Sequence, residues 1–243
     1  MKQVRRALKY TQAQLASHLN VTQQQIQRYE SDKDNPSIEA LVKMSRLFGV
    51  SLEYLVLDTD EDLQLRDAEA AYLIERLLSL KYKGKQFAVK KLIQMVLFFA
   101  TICDINKTKL NKLLFYADFI HFKDHGTAIS NIPYAKLPYG PTPENYQGIL
   151  GALEATNIVD IKQIVLNGEK EIIEERIEAN QPFRKELFAD SELSVLRRVA
   201  SQLGGKNGAQ LSRISHEETF FSKIDIGREI PYKLAGSLKL NLK

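Results

Sequence analysis

The stretch TQAQLASHLNVTQQQIQRYE, residues 11–30, decides the fold of the N-terminal part of the chain. Its first half carries apolar residues at helical spacing, and Thr11 stands in front of them as an N-cap residue. Those apolar positions are Ala13, Leu15, Ala16 and Leu19. Asn20 and Val21 interrupt the pattern, and Thr22 can cap a second helix. The stretch therefore predicts two short helices joined by a tight turn.

The second of these helices has a polar outward face. Ile26 and Tyr29 are its inward positions, and the outward positions are Gln23, Gln24, Gln27 and Arg28. Two short helices of this kind are the helix-turn-helix plan. Glutamine can pair with the major-groove edge of adenine, and arginine with that of guanine. The face thus predicts sequence-specific binding to double-stranded DNA, with the alternative that the glutamines only keep an exposed helix soluble.

The residues that follow predict further helices in the same domain. Asn35-Pro36-Ser37 ends one segment and caps the next, whose core face we assign to Ile38, Leu41, Val42 and Phe48. Gly49 ends that helix, and Ser51 begins a last turn. We expect a mainly α, five-helix helix-turn-helix domain over residues 1–57.

This segment resembles the Cro/phage-repressor (XRE) helix-turn-helix family from residue 11 to residue 56. The resemblance implies that Gln12 braces the DNA backbone and the first residue of the recognition helix. It implies base or phosphate contacts at Thr22, Gln23, Gln24 and Arg28, with Gln27 adjacent to them as a further DNA contact, and a structural ion pair at Glu30. Lys33 is expected to contact phosphate. Such domains usually act as homodimers that read half-sites about 34 Å apart.

Charge divides the rest of the chain into modules. Residues 1–57 carry eight basic and five acidic residues, residues 58–75 carry seven acids against Arg66, and residues 81–112 carry eight lysines against Asp104. We therefore expect an acidic linker helix over 58–84, which could also pair two subunits, and a separate domain over 85–243.

The C-terminal part has an α+β pattern. Phe87–Ile102 predicts a buried helix, and Thr108 is expected to cap the next one. Residues 134–143 predict an extended segment and a turn, with Pro143 beginning another helix. Residues 158–166 and 171–177 alternate around Asn167-Gly168, a strong hairpin signal. The expected fold is an α+β domain with a small antiparallel sheet.

Candidate catalytic groups are few. His121 and His125 stand four residues apart, as two metal ligands on one helix could, but a third ligand such as Asp118 or His216 would have to be invented. Cys103 is the single cysteine, which excludes an internal disulfide and fits the reducing cytoplasm. Neither a signal peptide nor a transmembrane segment is recognisable. We expect a cytoplasmic protein that is not an enzyme and has no cofactor, no metal and no membrane partner.

Three separated motifs carry a second resemblance. The first motif is KLNKLLFYADFIHFKDHG, the second is the segment that ends in YAKLPYGPTPENY, and the third is LSRISHEETFF. In this order they are similar to the Panacea (SocA-like) antitoxin domain, over about residues 85–240. The matching positions are Lys112, Leu113, Leu114, Tyr116, Tyr139, Gly140, Pro141, Ser215, His216 and Glu217. The resemblance implies a type II antitoxin that binds a co-encoded toxin protein, while the attached domain represses the shared operon. A purely structural interpretation is that residues 139–141 set a turn and His216-Glu217 holds a buried polar network.

Two other functions stay open from the sequence. The chain could be a phage or stress repressor whose C-terminal domain binds a small ligand, oligomerises or serves as a proteolysis adaptor. It could also be a hydrolase that uses His121, His125 or His216, which the sparse constellation makes the weakest hypothesis.

Overall fold

The computed structural model describes residues 5, 10–31, 33–48, 60–166 and 172–241. The chain divides into two compact units, Met1–Leu65 and Arg66–Lys243. The division expected from the sequence, at 58 and at 85, stays a prediction.

The N-terminal unit contains three described helices before residue 60: α1 (Gln12–Leu19), α2 (Gln23–Tyr29) and α3 (Ile38–Phe48). Thr11 and Thr22 cap α1 and α2, and each takes part in a capping box with the glutamine three residues later. Each box pairs two backbone groups that a helix start leaves unsatisfied. Asn20 ends α1 in the left-handed conformation, with φ of 57°. The two predicted helices and their tight turn are therefore confirmed.

The three helices enclose a small apolar core. Its buried residues are Leu15, Ala16, Leu19, Ile26, Ala40, Met44 and Phe48. The expectation that Ile38 belongs to this core is wrong, because its side chain is 80% exposed. Ala40, Met44 and Phe48 lie four residues apart on one face of α3, and Ile38 points away from that face. The predicted helices before Thr11 and after Ser51 fall on residues outside the described part, apart from Arg5.

The C-terminal unit combines helices with two small sheets. Its helices are α4 (Asp60–Ser79, from Arg66 onward), α5 (Val89–Ile102), α6 (Lys107–His125), α7 (Tyr146–Ala155), α8 (Asp190–Leu203) and α9 (Gly208–His216). Its strands are β1 (Ile105–Asn106), β2 (Tyr134–Leu137), β3 (Gly140–Pro143), β4 (Val159–Leu166) and β5 (Ile172–Ala179). Short 3-10 helices cover Lys185–Leu187, Phe221–Lys223 and Tyr232–Ser237. The α+β class of this part is confirmed.

Helix α6 is the central element of the unit and is buried from Lys109 to His121. Its N-cap is Asn106, whose side-chain oxygen accepts a hydrogen bond from Lys109 N at 2.9 Å. The predicted cap, Thr108, is instead the second residue of the helix. Asn106 takes this role because it ends β1 in an extended conformation, which an N-cap residue requires.

Helix α4 is tied to the C-terminal unit by apolar packing and by one buried carboxylate. Ala70, Ala71, Ile74 and Leu78 belong to the same core as α5 and α6. Asp67 is 1% exposed and accepts hydrogen bonds from Gln94 Nε2 and Gln181 Nε2, both at 2.7 Å, and from Arg184. Removing Asp67 would leave these three buried or half-buried donors without their acceptor, which is strongly destabilising.

Both sheets are antiparallel. The larger has the strand order β1-β5-β4, and its β4–β5 pair runs from Val159↔Ala179 to Leu166↔Ile172. Asn167-Gly168, the predicted hairpin turn, lies outside the described residues. The smaller sheet pairs β2 with β3 from Tyr134↔Pro143 to Leu137↔Gly140.

The residues after β3 differ from the prediction. Pro143 does not begin a helix, because it is the last residue of β3, where a missing N–H is tolerated. Helix α7 begins at Tyr146, after Asn145. Within the described ranges, no helix combines the length and apolar character needed to cross a membrane.

Candidate functional site

Helix α2 presents the polar face predicted for DNA recognition. Its buried residue is Ile26, which packs into the core of the N-terminal unit. The side chains of Gln23, Gln24, Gln27 and Arg28 are all exposed, as is that of Thr22. Gln25 is occupied by the capping box, since its side-chain oxygen accepts from Thr22 N at 3.0 Å. Gln25 therefore differs from the other three exposed glutamines because its side chain is used to cap the helix.

A buried ion pair stands behind this face. Arg5 donates to both carboxylate oxygens of Glu30, at 2.5 and 2.9 Å, and to Tyr10 O at 2.7 Å. Gln12 Nε2 donates to Glu30 at 2.8 Å. The structural role predicted for Glu30 is thereby confirmed. Gln12 is held in place by Glu30 at the start of α1, and its contact with DNA stays a prediction.

The last two predicted DNA contacts lie at the end of α2 and just after it. Arg28 Nε is 3.7 Å from Asp34 Oδ2, and both side chains are about half exposed. Lys33 is exposed, and its backbone N donates to Arg28 O at 3.0 Å. An exposed pair of this length contributes little, so Arg28 can leave Asp34 for another acceptor.

In the C-terminal unit, four of the motif positions meet at the β2–β3 hairpin. Lys112 is 1% exposed and donates from Nζ to Pro141 O at 3.0 Å. Burial lowers the pKa of this lysine to about 8. Gly140 has a φ of +106°, and a Cβ there would lie 2.4 Å from Ser215 Oγ and 2.7 Å from Lys112 Cε. Only glycine allows the hairpin to approach α6 and α9 this closely.

Helix α9 fixes the turn of this hairpin, which is formed by Pro138 and Tyr139. Ser212 Oγ donates to Tyr139 O at 2.9 Å. His216 contacts Pro138 O through Nε2 at 3.1 Å and Ser212 O through Nδ1 at 2.6 Å. A turn is present as expected, but it consists of Pro138 and Tyr139 and not of residues 139–141, because Gly140 and Pro141 already belong to β3. The Tyr139 side chain is 74% exposed.

The buried acid of the late motif is Glu218. Tyr116, which is fully buried, donates to Glu218 Oε1 at 3.1 Å, and Lys239 N donates to Glu218 Oε2 at 2.6 Å. Burial and the nearby Glu218 raise the pKa of the Tyr116 hydroxyl. The expectation of a buried network at His216-Glu217 is wrong, since both side chains are exposed. Nothing in the sequence distinguishes Glu217 from Glu218. The course of the chain after α9 determines which of the two is buried.

Of the candidate catalytic residues, His121 and Cys103 are buried, whereas His125 and His216 are exposed. His121 Nδ1 lies 2.6 Å from Thr127 O and Nε2 3.3 Å from Ser191 Oγ, which satisfies a neutral imidazole. Asp118, a candidate third ligand, accepts from Ser130 N and from Tyr134 Oη, each at 2.7 Å. Burial raises the pKa of the Cys103 thiol, which disfavours the reactive thiolate. Among the described residues, no group of three or more His, Cys, Asp or Glu could hold a metal.

An apolar pocket lies between α5, α6 and α7. It is lined by Leu92, Val96, Leu110, Asn111, Leu114, Pro143, Tyr146, Ile149 and Leu150. Its free volume for a water-sized molecule is about 10 Å³, which corresponds to one water. As it stands, this pocket has no room for a metabolite.

Comparison with known proteins identifies both parts of the chain. Residues 1–55 match the helix-turn-helix family model, and residues 110–220 match the model of the antitoxin SocA-like Panacea domain. Both predicted resemblances are confirmed: the chain carries an XRE-type helix-turn-helix domain and a SocA-like Panacea domain.

The curated relatives match the N-terminal part. HTH-type transcriptional regulator ImmR of Bacillus subtilis (strain 168) is 36% identical over 56 residues, which are 23% of this chain and 44% of the relative. The SPbeta prophage-derived HTH-type transcriptional regulator YonR of the same strain is 32% identical over 65 residues, 27% of this chain and 60% of the relative. The chain thus spans about half the length of these relatives. No solved structure matches the chain.

Proposed function

We propose that this chain, which joins a helix-turn-helix domain to a SocA-like Panacea domain, is the antitoxin of a toxin–antitoxin pair. It binds the co-encoded toxin protein directly through the C-terminal domain. Through the N-terminal domain it represses its own operon as a homodimer in the cytoplasm. The observation that carries the proposal is the combination, in one chain, of a DNA-reading module with a module of an antitoxin family.

The exposed face of α2 supports the DNA-binding part. Gln23, Gln24 and Gln27 carry amides that can donate and accept at once, as the adenine edge requires. Arg28 adds the fork that fits guanine. The capping box at Thr22 fixes the start of α2, and the bond from Gln12 to Glu30 ties its end to α1. Little order therefore has to be gained on binding DNA.

Arg28→Ala is expected to weaken operator binding by about 1–3 kcal/mol and to relax the preference at one base pair. The reason is the loss of a bidentate contact to guanine. Binding of the purified chain to operator duplexes with single substitutions measures both effects. Arg46→Ala is the matched control, because Arg46 is an exposed arginine in the last turn of α3. If Arg46→Ala lowered the affinity as much as Arg28→Ala, and equally for all duplexes, Arg28 would contribute only its charge to DNA binding.

Growth rescue tests the antitoxin part. The product of the adjacent open reading frame, expressed on its own, should arrest growth, and co-expression of the chain should restore it. The Arg28→Ala chain should rescue growth equally well while it fails to repress a reporter under the operon promoter. An adjacent product without toxicity, or a chain that does not rescue, would exclude the antitoxin function and leave a transcriptional repressor with a C-terminal domain of another role.

A further inference from the structure

The Pro138-Tyr139 turn displays one large side chain on a backbone that is fixed from several sides. Tyr139 is 74% exposed, and the hydrogen bonds around it involve backbone carbonyls. His216, Ser212 and Lys112 bind the carbonyls of Pro138, Tyr139 and Pro141 respectively. None of these contacts involves the Tyr139 ring. The motif residues therefore hold the turn and leave the ring available.

Residues 227–229 form a third extended segment beside the β2–β3 hairpin. Gly227 N donates to Lys136 O at 2.7 Å and Lys136 N to Arg228 O at 2.9 Å, and Ala135 forms a bridge with Glu229. Residues 227–229 thus pair with β2 on the side opposite β3. This antiparallel pairing places Ile226, which is 65% exposed, at the turn end of β2. We call Tyr139 and Ile226, with the turn between β2 and β3, the hairpin tip.

The base of the hairpin tip is also secured. Lys136 Nζ donates to Phe221 O and to Ile224 O, each at 2.7 Å, and lies 4.6 Å from the centre of the Phe221 ring. The loop that carries Ile226 is therefore held to β2 by a side chain as well as by backbone bonds.

Exposure of single apolar side chains is ordinary and proves nothing. What distinguishes the hairpin tip is that a buried lysine, a glycine with a positive φ and two side chains of α9 fix the backbone that carries an exposed tyrosine. Tyrosine is enriched among the few residues that carry most of the binding energy of protein interfaces. An anchor whose backbone is already fixed loses less entropy on binding, which raises affinity.

On the premise of the proposed function, we infer that the hairpin tip is the surface that binds the toxin protein. Tyr139 enters an apolar pocket of the partner, and Ile226 packs beside it. Lys112, Ser212 and His216 act as positioning residues that hold the backbone of the turn.

The charges near the hairpin tip define the chemistry of the partner. On the segments that form or hold the hairpin tip, Arg213, Lys223 and Arg228 are exposed against Glu217 and Asp225. A third acid, Glu229, is paired with Lys85 and offsets that lysine. Two copies of this surface would bring like charges together, which disfavours a second copy of the chain as the occupant. The surface fits a different protein whose apolar pocket is bordered by carboxylates.

The test measures binding of the full-length chain to the purified product of the adjacent open reading frame. Tyr139→Ala should lower affinity at least 30-fold, and Ile226→Ala about 10-fold. Tyr72→Ala is the matched control, because Tyr72 is an equally large side chain, 61% exposed on α4, and should leave affinity unchanged. All three variants should keep the parent's unfolding midpoint and operator affinity, because the side chains removed are exposed. Arg228→Glu should slow association, and added salt should reduce that difference.

The outcomes separate the two proposals. If the unaltered chain neither binds nor neutralises the adjacent product, the antitoxin function fails, and this inference fails with it. If the unaltered chain binds and rescues growth but Tyr139→Ala and Ile226→Ala do so equally well, the antitoxin function stands and the hairpin tip is not the binding surface. Loss of binding in Tyr72→Ala with retention in Tyr139→Ala would place the interface on α4 instead.

Discussion

Replacing Gly140 with alanine is expected to destabilise the C-terminal unit by about 3 kcal/mol. The added Cβ would lie 2.4 Å from Ser215 Oγ and 2.7 Å from Lys112 Cε, so β3 would have to move away from α6 and α9. Alanine would also be strained by the φ of +106°. Urea unfolding of the full-length chain, followed by circular dichroism, measures the loss.

Two further variants separate strain from crowding. Gly126 also has a positive φ, +76°, but a Cβ there meets nothing within 4 Å. Gly126→Ala should therefore cost only about 1 kcal/mol. Combining Gly140→Ala with Ser215→Ala removes the nearest atom, so the double variant should lose less than the two single losses together. If Gly140→Ala proved no more harmful than Gly126→Ala, the close approach of the hairpin to α6 and α9 would be refuted.

Replacing Lys112 with methionine is expected to stabilise the C-terminal unit near neutral pH. Lys112 has a pKa of about 8 in the folded protein because it is buried, and a free lysine has a pKa of about 10.4. Holding it protonated at pH 7 costs about 3 kcal/mol on the scale of 1.36 kcal/mol per pH unit. Methionine removes this penalty and leaves Pro141 O without its donor, which costs about 1 kcal/mol. A net gain of about 2 kcal/mol should appear in urea unfolding at pH 7.

The same lysine predicts a pH dependence with a definite sign. Because its pKa is lower in the folded state, the unfolded chain binds more protons between pH 8 and 10, and stability rises with pH in that window. Burial raises the pKa values of Tyr134 and Tyr232, so above pH 10 these tyrosines work in the opposite direction. The unaltered chain should gain about 2 kcal/mol from pH 8 to pH 9.5 relative to Lys112→Met. Lys90→Met, at an exposed lysine of α5, should keep the full dependence.

Local signals in the sequence predict much of the N-terminal unit. Thr11 and Thr22 were identifiable as caps because a threonine precedes each apolar pattern, and the structure places both in capping boxes. Glu30 was separable from the DNA-facing residues through the resemblance to a known family. The exposure of Ile38 is not predictable in this way, because an apolar residue at a helix start fits several faces of the helix. Only packing against α1 and α2 determines that Ala40 and Met44 face the core.

The C-terminal unit is harder to predict because its decisive contacts join distant segments. The Tyr-Gly-Pro motif indicates a turn, but the contact of Gly140 with Ser215 joins residues far apart in the sequence. Likewise, Glu218 is bound by Tyr116 of α6, three helices before α9, and nothing in the sequence marks this contact. Ile226 lies in no recognisable motif, and its place beside the turn follows from the pairing of residues 227–229 with β2.

The carboxylate of Asp67 sets where a shortened chain can still fold. A fragment that begins at residue 85, where the charge pattern suggests a border, would lack the acceptor for Gln94, Gln181 and Arg184. It would also uncover the core surface that Ala70, Ala71, Ile74 and Leu78 close. A fragment intended to retain the C-terminal unit has to start before Arg66. The second half of the acidic segment, from Arg66 onward, is therefore part of the folded body of the C-terminal unit.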